Sequence, residues 1–273
     1  MTDVADRFTT EGFCFPLDVL SPDAALALGE ELFRIQSADR LAALGNKGQF
    51  QYPHVISRSV AEVVRHPTLL DAAESILGPD ILVWGSTLFA KAPRSRRYVS
   101  WHQDSTYMGI AGTDMVTAWL ALTPSTSDNG CVAMVPATHL DGIRPHEDRY
   151  GPDNILTRGQ HVTGFDPDTA VDVVLQPGQM SLHHPHLIHG SRPNGSDARR
   201  VGVAFQSYVG VDAHPERGEH HVLAVGDAPV NPTFLVVPRP KVEMAAEGRA
   251  VRASANAALS DVLYHGATER RSY

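Results

Sequence analysis

The sequence predicts a mainly β protein with flanking helices: a double-stranded β-helix, or jelly roll, of cupin-like kind. Three observations predict it. From about residue 80 the chain breaks into short β-branched and aromatic runs, among them ILVWGSTLFAKAP, RYVSWHQDSTY, MVTAWLALTP, CVAMVPATH and RRVGVAFQSYVG. Turn-forming segments separate these runs, namely APRSR, TSDNG, QPG and RPNGSDA. Helical patterns lie at the two ends, where they would pack outside a barrel and brace it.

The elements follow in order. Residues 4–13 form a short helix or strand leading into GFCFPLDVL. Ser21 before Pro22 reads as an N-cap followed by proline at the first helical position. Ala24, Leu28, Leu32 and Ile35 then keep a helical spacing to about Ala38. Residues 59–78 give a second helix, broken by Pro67 and ended by Gly78. After the strands begin, 140–165 is rich in Asp, Gly and Arg and reads as a long loop of the kind that covers a site. The Ala-rich stretch 240–262 reads as a C-terminal helix. No repeat, linker or composition shift divides the chain, so one domain over 1–273 is expected.

Composition narrows the function. The net charge is −8, from 23 basic and 31 acidic residues, and no basic block occurs. Nucleic acid is therefore a poor partner. The short cluster Arg94, Arg96, Arg97 reads as a solvated loop. Cys14 and Cys131 are the two cysteines, with no CxxC, so neither a disulfide framework nor a zinc–thiolate site is indicated. The start, MTDVADRFTTEGF, lacks the apolar core of a signal peptide, and no run approaches the roughly 18 apolar residues of a membrane helix. A cytoplasmic protein with a small-molecule substrate and no membrane partner is the expectation.

Chemistry concentrates in two places. In SWHQDSTYMG, residues 100–109, His102 and Asp104 stand two apart in a stretch that reads as a strand, where i and i+2 share a face. They either pair with each other or hold something between them. The second place is MSLHHPHLIHGSRPNGSDARRVGVAF, a strand, a turn and a returning strand. Two histidines and a carboxylate on one face of a metal, with other positions open, suit non-haem Fe(II). His183, His184, His186 and His189 compete for the third place. His189 is preferred, because it precedes GS and a turn at the strand's mouth, while His183 and His184 lie deeper and alternate in direction. An arginine that grips a carboxylate would favour a cosubstrate such as 2-oxoglutarate. Of Arg199 and Arg200, the second shares its face with the small Gly202 and Ala204, which leave room for a guanidinium.

At these residues the sequence resembles the phytanoyl-CoA dioxygenase family of Fe(II)/2-oxoglutarate oxygenases. The matching blocks are WHQD, TAWLAL, NGCVAMVPATH and LQPGQMSLHHPHLIHGSRPNGSDARRVGVAF, in family order. The resemblance implies that His102, Asp104 and His189 bind iron and that Arg200 grips the far carboxylate of 2-oxoglutarate. It implies that Ser191 helps hold that carboxylate and that Trp119 contacts the cosubstrate, where a core aromatic is the other reading. Lys91, in FAKAP, matches a common family lysine with no role assigned. Several blocks also resemble the related non-haem iron halogenases, which replace the ligand carboxylate by Ala or Gly. Asp104 is present here, which argues for hydroxylation.

The expected activity is 2-oxoglutarate- and O₂-dependent oxidation of an unactivated C–H of a small metabolite, in natural-product biosynthesis for instance, with release of succinate and CO₂. Tyr107, Met108 and Tyr208, with the loop 140–165, are the expected substrate side. Two alternatives remain open at this point: a zinc or manganese hydrolase or isomerase on the same barrel, and a non-catalytic barrel that binds a small ligand.

Overall fold

The computed structural model describes residues 4–39, 49–111, 115–225 and 229–270; for 107, 206 and 207 it describes the backbone only. The N-terminal part is α1 (Val4–Glu11), β1 (Phe13–Asp18), α2 (Pro22–Ala38), β2 (Gln49–Gln51), α3 (Pro53–Ile56), α4 (Arg58–Val63) and α5 (Pro67–Leu77). The Ser21 hydroxyl accepts from the Ala24 amide at 3.3 Å and caps α2 as expected. Pro67 starts α5, so the helix expected over 59–78 is two helices meeting at a proline.

The barrel follows: β3 (Ile81–Val83), β4 (Thr87–Lys91), β5 (Val99–His102), α6 (Ser105–Met108), β6 (Ile110–Ala111), β7 (Met115–Ala121), β8 (Val132–Met134), β9 (His146–Glu147), β10 (His161–Val162) and β11 (Val171–Val173). It is completed by β12 (Gln179–His183), β13 (His189–Ser191), β14 (Arg200–Gly210), β15 (His214–Pro215), β16 (His221–Ala224), β17 (Leu235–Val236) and the C-terminal helix α7 (Ala246–Leu263). That helix begins several residues later than its Ala-rich composition implied.

Two sheets face each other. The larger runs β1–β12–β7–β14–β3–β16–β17, with β4 against β14 and β2 against β4. The smaller runs β11–β8–β13–β5. Alternation along the strands sorts the residues. Val201, Val203, Phe205, Met180 and Leu182 face outward and pack with Leu28, Leu32, Val60 and Leu69 of the helices. Trp119, Ala121 and Ala204 face inward and meet Val132, Met134, Val173 and Leu187. This is the jelly-roll arrangement expected, with helices covering the outer face of the larger sheet. Among the described residues no helix is long and apolar enough to cross a membrane.

The alternation fails once on β14. Its pairing with β7 shifts between Phe205 and Tyr208, where three steps along β14 match two along β7, Phe205↔Ala118 and Tyr208↔Val116. A bulge of this kind turns every later side chain to the opposite face. Tyr208, expected to face the substrate, instead lies fully buried in the helix-side core. Its hydroxyl donates to the Val64 carbonyl at 3.0 Å.

Candidate active site

His102 and His189 are brought together by strand pairing: they sit directly opposite each other on β5 and β13. Asp104 arrives differently from the strand reading. β5 ends at His102, and Asp104 has helical backbone at the start of α6. The intervening Gln103 makes that turn rigid. Its side chain is fully buried, donating to Gly142 O at 2.8 Å and His186 O at 2.6 Å and accepting from the Arg144 amide at 2.8 Å. The chain therefore swings Asp104 back toward the two histidines. Donor atoms of His102, Asp104 and His189 all lie within 4.8 Å of one another.

Hydrogen bonds fix how the imidazoles point. His102 Nδ1 lies 2.9 Å from Ser100 O and 3.1 Å from His189 O. His189 Nδ1 lies 2.9 Å from Leu187 O. Carbonyls only accept, so both Nδ1 atoms carry the proton and both Nε2 lone pairs face inward, as metal ligation requires. Burial, the largest single effect on Asp104, raises its carboxyl; His189, His102 and His183 together outweigh it and hold the carboxyl well below its usual range. Burial holds His189 well below the usual histidine range. A carboxylate with neutral imidazoles is the state that binds a divalent cation.

A second cluster lies on the neighbouring strands. Arg200 and Lys91 are register partners on β14 and β4 and are 2% and 1% exposed. Among the described residues no carboxylate pairs with either one. Arg200 Nη2 is buried without a hydrogen-bond partner, and its guanidinium stacks over the Trp119 ring at 4.3 Å. Lys91 donates to Ser191 Oγ at 2.6 Å and to Gly130 O at 3.2 Å. Burial lowers Arg200 to about 10, where it stays cationic, and burial with the Arg200 charge pushes Lys91 down to about 6. A buried guanidinium without a counter-ion is expensive. An external carboxylate would complete it, and the Ser191 hydroxyl, already accepting from Lys91, keeps its own proton to donate to that carboxylate. Arg199 points the other way, exposed, over the Phe33 ring at 4.4 Å.

Gly202 makes this cradle possible. A Cβ there would meet Trp119 Cζ2 at 2.0 Å, inside the indole. Gly202→Ala is expected to displace the ring from beneath Arg200, cost about 1–3 kcal/mol of stability by overpacking and weaken 2-oxoglutarate binding. Urea melts and the cosubstrate dependence of turnover measure the two effects. Unchanged cosubstrate dependence would remove Trp119 from the cradle.

One cavity joins both clusters. It touches His102, Asp104, His189, Ser191, Trp119 and Arg200. Farther out its wall is largely apolar, with Trp84, Phe89, Met108, Leu156, Leu259 and Leu263. Met108 thus lines it as expected; the side chain of Tyr107 lies outside the described residues. Leu156, Thr157 and Gln160 bring the loop 140–165 to the cavity. Asp148 and Arg158 pair within that loop at 2.6 Å, and Arg158 Nη1 donates to His265 O at 2.9 Å, tying it to the end of α7. The leucines of α7 went unrecognised in the sequence, although their i, i+4 spacing marks one helix face. Arg94 and Arg96 lie on the surface, paired with Asp197 at 2.7 Å and Asp153 at 3.5 Å.

A jelly roll that sets two histidines and an aspartate against a buried anion cradle is the framework of a mononuclear non-haem iron oxygenase. The chain belongs to the phytanoyl-CoA dioxygenase (PhyH) family, which residues 8–202 match. The peroxisomal phytanoyl-CoA dioxygenase of Homo sapiens is 28% identical over 153 residues, 54% of this chain and 45% of that protein. A probable alpha-ketoglutarate-dependent hypophosphite dioxygenase of Stutzerimonas stutzeri is 27% identical over 194 residues, 68% of this chain and 67% of that one. The chain therefore spans about half to two thirds of these relatives. Among solved structures, the apo form of the non-heme monooxygenase ThoJ is 31% identical with a TM-score of 0.85, over 96% of this chain and 98% of that one.

Proposed function

We propose that the protein is an Fe(II)/2-oxoglutarate-dependent dioxygenase that hydroxylates, or otherwise oxidises, a C–H of a small metabolite, within one domain over 1–273. The observation that carries this reading is the buried Arg200 guanidinium beside the His–Asp–His cluster, which has no carboxylate partner among the described residues. A metal hydrolase or a plain ligand-binding barrel has the same use for the three ligands but none for Arg200, Lys91 and Ser191.

Bound together, Fe(II), 2-oxoglutarate and O₂ supply the oxidising power, with succinate and CO₂ as co-products. The protein's part is placement. His102, Asp104 and His189 hold the metal, with both Nε2 atoms aimed by the carbonyls behind them. Arg200 and Ser191 hold the far carboxylate of the cosubstrate, Lys91 fixes the Ser191 hydroxyl from behind, and Trp119 forms the floor. Asp104 keeps the position that a halide would need, which favours hydroxylation. The apolar outer wall excludes water and brings the substrate C–H close.

That wall also bears on the substrate. Away from the metal and the cradle, its side chains carry no permanent charge, and an unpaired charge buried there would be costly. We place the substrate among uncharged, largely apolar metabolites, of the kind that natural-product pathways oxidise. The phosphates of an acyl-CoA would meet Arg94 and Arg96 already paired on the surface. Two free, buried cysteines agree with a reducing cytoplasm.

The test is an anaerobic titration of metal-free protein with Fe(II), then 2-oxoglutarate. A weak visible charge-transfer band that needs both is expected. Asp104→Ala and His189→Ala are each expected to abolish the band and, in air, succinate release. Tight Zn²⁺ binding with no such band would turn the reading toward a hydrolase.

A further inference from the structure

We propose that His183 is a positioning residue for the metal ligand Asp104: with Thr117, it holds one carboxylate oxygen so that the other alone faces the metal. The proposal rests on the metal-centre reading above.

The two oxygens of Asp104 have different neighbours. Oδ1 lies 3.4 Å from His102 Nε2 and 3.7 Å from His189 Nε2. Oδ2 accepts from Thr117 Oγ1 at 2.9 Å and lies 3.3 Å from His183 Nε2. Thr117 and His183 are register partners on β7 and β12, so their side chains leave the sheet side by side and reach the same oxygen. Both are buried, at 2% and 3% exposure.

His183 is not itself part of the ligand set. The three residues whose donor atoms lie mutually within 4.8 Å are His102, Asp104 and His189. Its Nδ1 is buried with no partner, so the ring is held through Nε2, and the carboxylate oxygen opposite assigns the proton to that nitrogen. The ring also lies against the second ligand, with a centroid separation of 4.5 Å from His189. The next residue, His184, turns outward to Phe8 and His139.

The chemical consequence concerns coordination number. A free carboxylate can swing to bind a cation through both oxygens. Tying Oδ2 to two donors leaves Oδ1 as a single ligand, and three positions of an octahedral ion then stay open for cosubstrate and O₂. Partners of this kind set the orientation and basicity of a ligand, and their loss typically costs about 10–100-fold in metal affinity.

The experiment uses the full-length, metal-free protein and Mn²⁺, with free Mn²⁺ followed by electron paramagnetic resonance. His183→Phe keeps a ring of similar size and removes the donor. It is expected to weaken Mn²⁺ binding by about 10–100-fold, and Thr117→Val to weaken it as well. His183→Gln, whose amide N–H reaches a similar point, is expected to recover most of the loss. The charge-transfer band of the Fe(II)–2-oxoglutarate form should shift in His183→Phe and return in His183→Gln. Wild-type affinity and band in a folded His183→Phe protein would overturn the proposal. If that variant does not fold, unchanged Mn²⁺ affinity in Thr117→Val together with a loss in His183→Gln as deep as in a ligand variant would overturn it instead. Failure of the wild-type protein to bind one Mn²⁺, or equal binding by His102→Ala, would sink the metal-centre reading rather than this one.

Discussion

Replacing Arg200 by alanine is expected to raise the 2-oxoglutarate concentration for half-maximal turnover by roughly 30- to 4,000-fold. The range follows from the about 2–5 kcal/mol lost when one partner of a desolvated charge pair is truncated. The guanidinium is buried, stacked on Trp119 and, among the described residues, without a counter-ion, so a bound carboxylate would complete it. Arg200→Lys should recover part of the affinity, because an ammonium restores charge but not the planar fork that stacks on the indole. Arg199→Ala should leave the cosubstrate dependence unchanged, since that side chain lies outside over Phe33. Succinate release measured against 2-oxoglutarate concentration reads all three. A change below threefold in Arg200→Ala would remove Arg200 from the cosubstrate site.

The second large effect is on stability. Arg252 of α7 and Asp39, just past α2, form a buried ion pair, 2% and 4% exposed at the side chains. Arg252 Nε also donates to Gln51 O at 2.7 Å, and its guanidinium lies 4.2 Å above the Phe50 ring. One side chain thus ties the C-terminal helix to α2 and to β2, whose Gln49 and Gln51 line the cavity. Arg252→Ala removes the cation paired with the buried Asp39 carboxylate, and should lower the unfolding free energy by about 3–5 kcal/mol. The urea midpoint should fall with little change in slope. Replacing both partners, as Arg252→Met with Asp39→Leu, should restore most of the loss, because the cost lies in keeping a carboxylate buried without its cation. A single variant within 1 kcal/mol of wild type would show that water reaches Asp39.

What the sequence revealed of the site follows from how restrictive each requirement is. Few side chains bind iron, so His102, Asp104 and a histidine-rich strand stand out from a single chain. Arg200 could be chosen over Arg199 because Gly202 and Ala204 mark the roomy face of a strand, and the structure has that face inward. The misreadings have local causes. Alternation puts Asp104 at the next inward position of a strand, but the strand ends at His102 and Gln103 makes the turn. Regular alternation along β14 from Arg200 would also put Tyr208 inside, but the bulge interrupts it. Gln103, Thr117, His183 and the α7 leucines act through partners from 13 to more than 100 residues away in the chain, and no short-range pattern announces such contacts.

The bulge on β14 has one more effect. Before it, Arg200, Gly202 and Ala204 meet the chemistry while their neighbours meet the helices; after it, Tyr208 belongs to the helices by the count that would otherwise have sent it inside. The strand is thus two reading frames joined by one extra residue. Deleting that residue would let β14 pair with β7 without a bulge: two steps would separate Phe205 from the tyrosine, as two separate Ala118 from Val116, and the tyrosine would keep its place beneath α4. Straightening the strand at its present length is what would send the tyrosine into the barrel, so the extra residue and the bulge that absorbs it work as one feature.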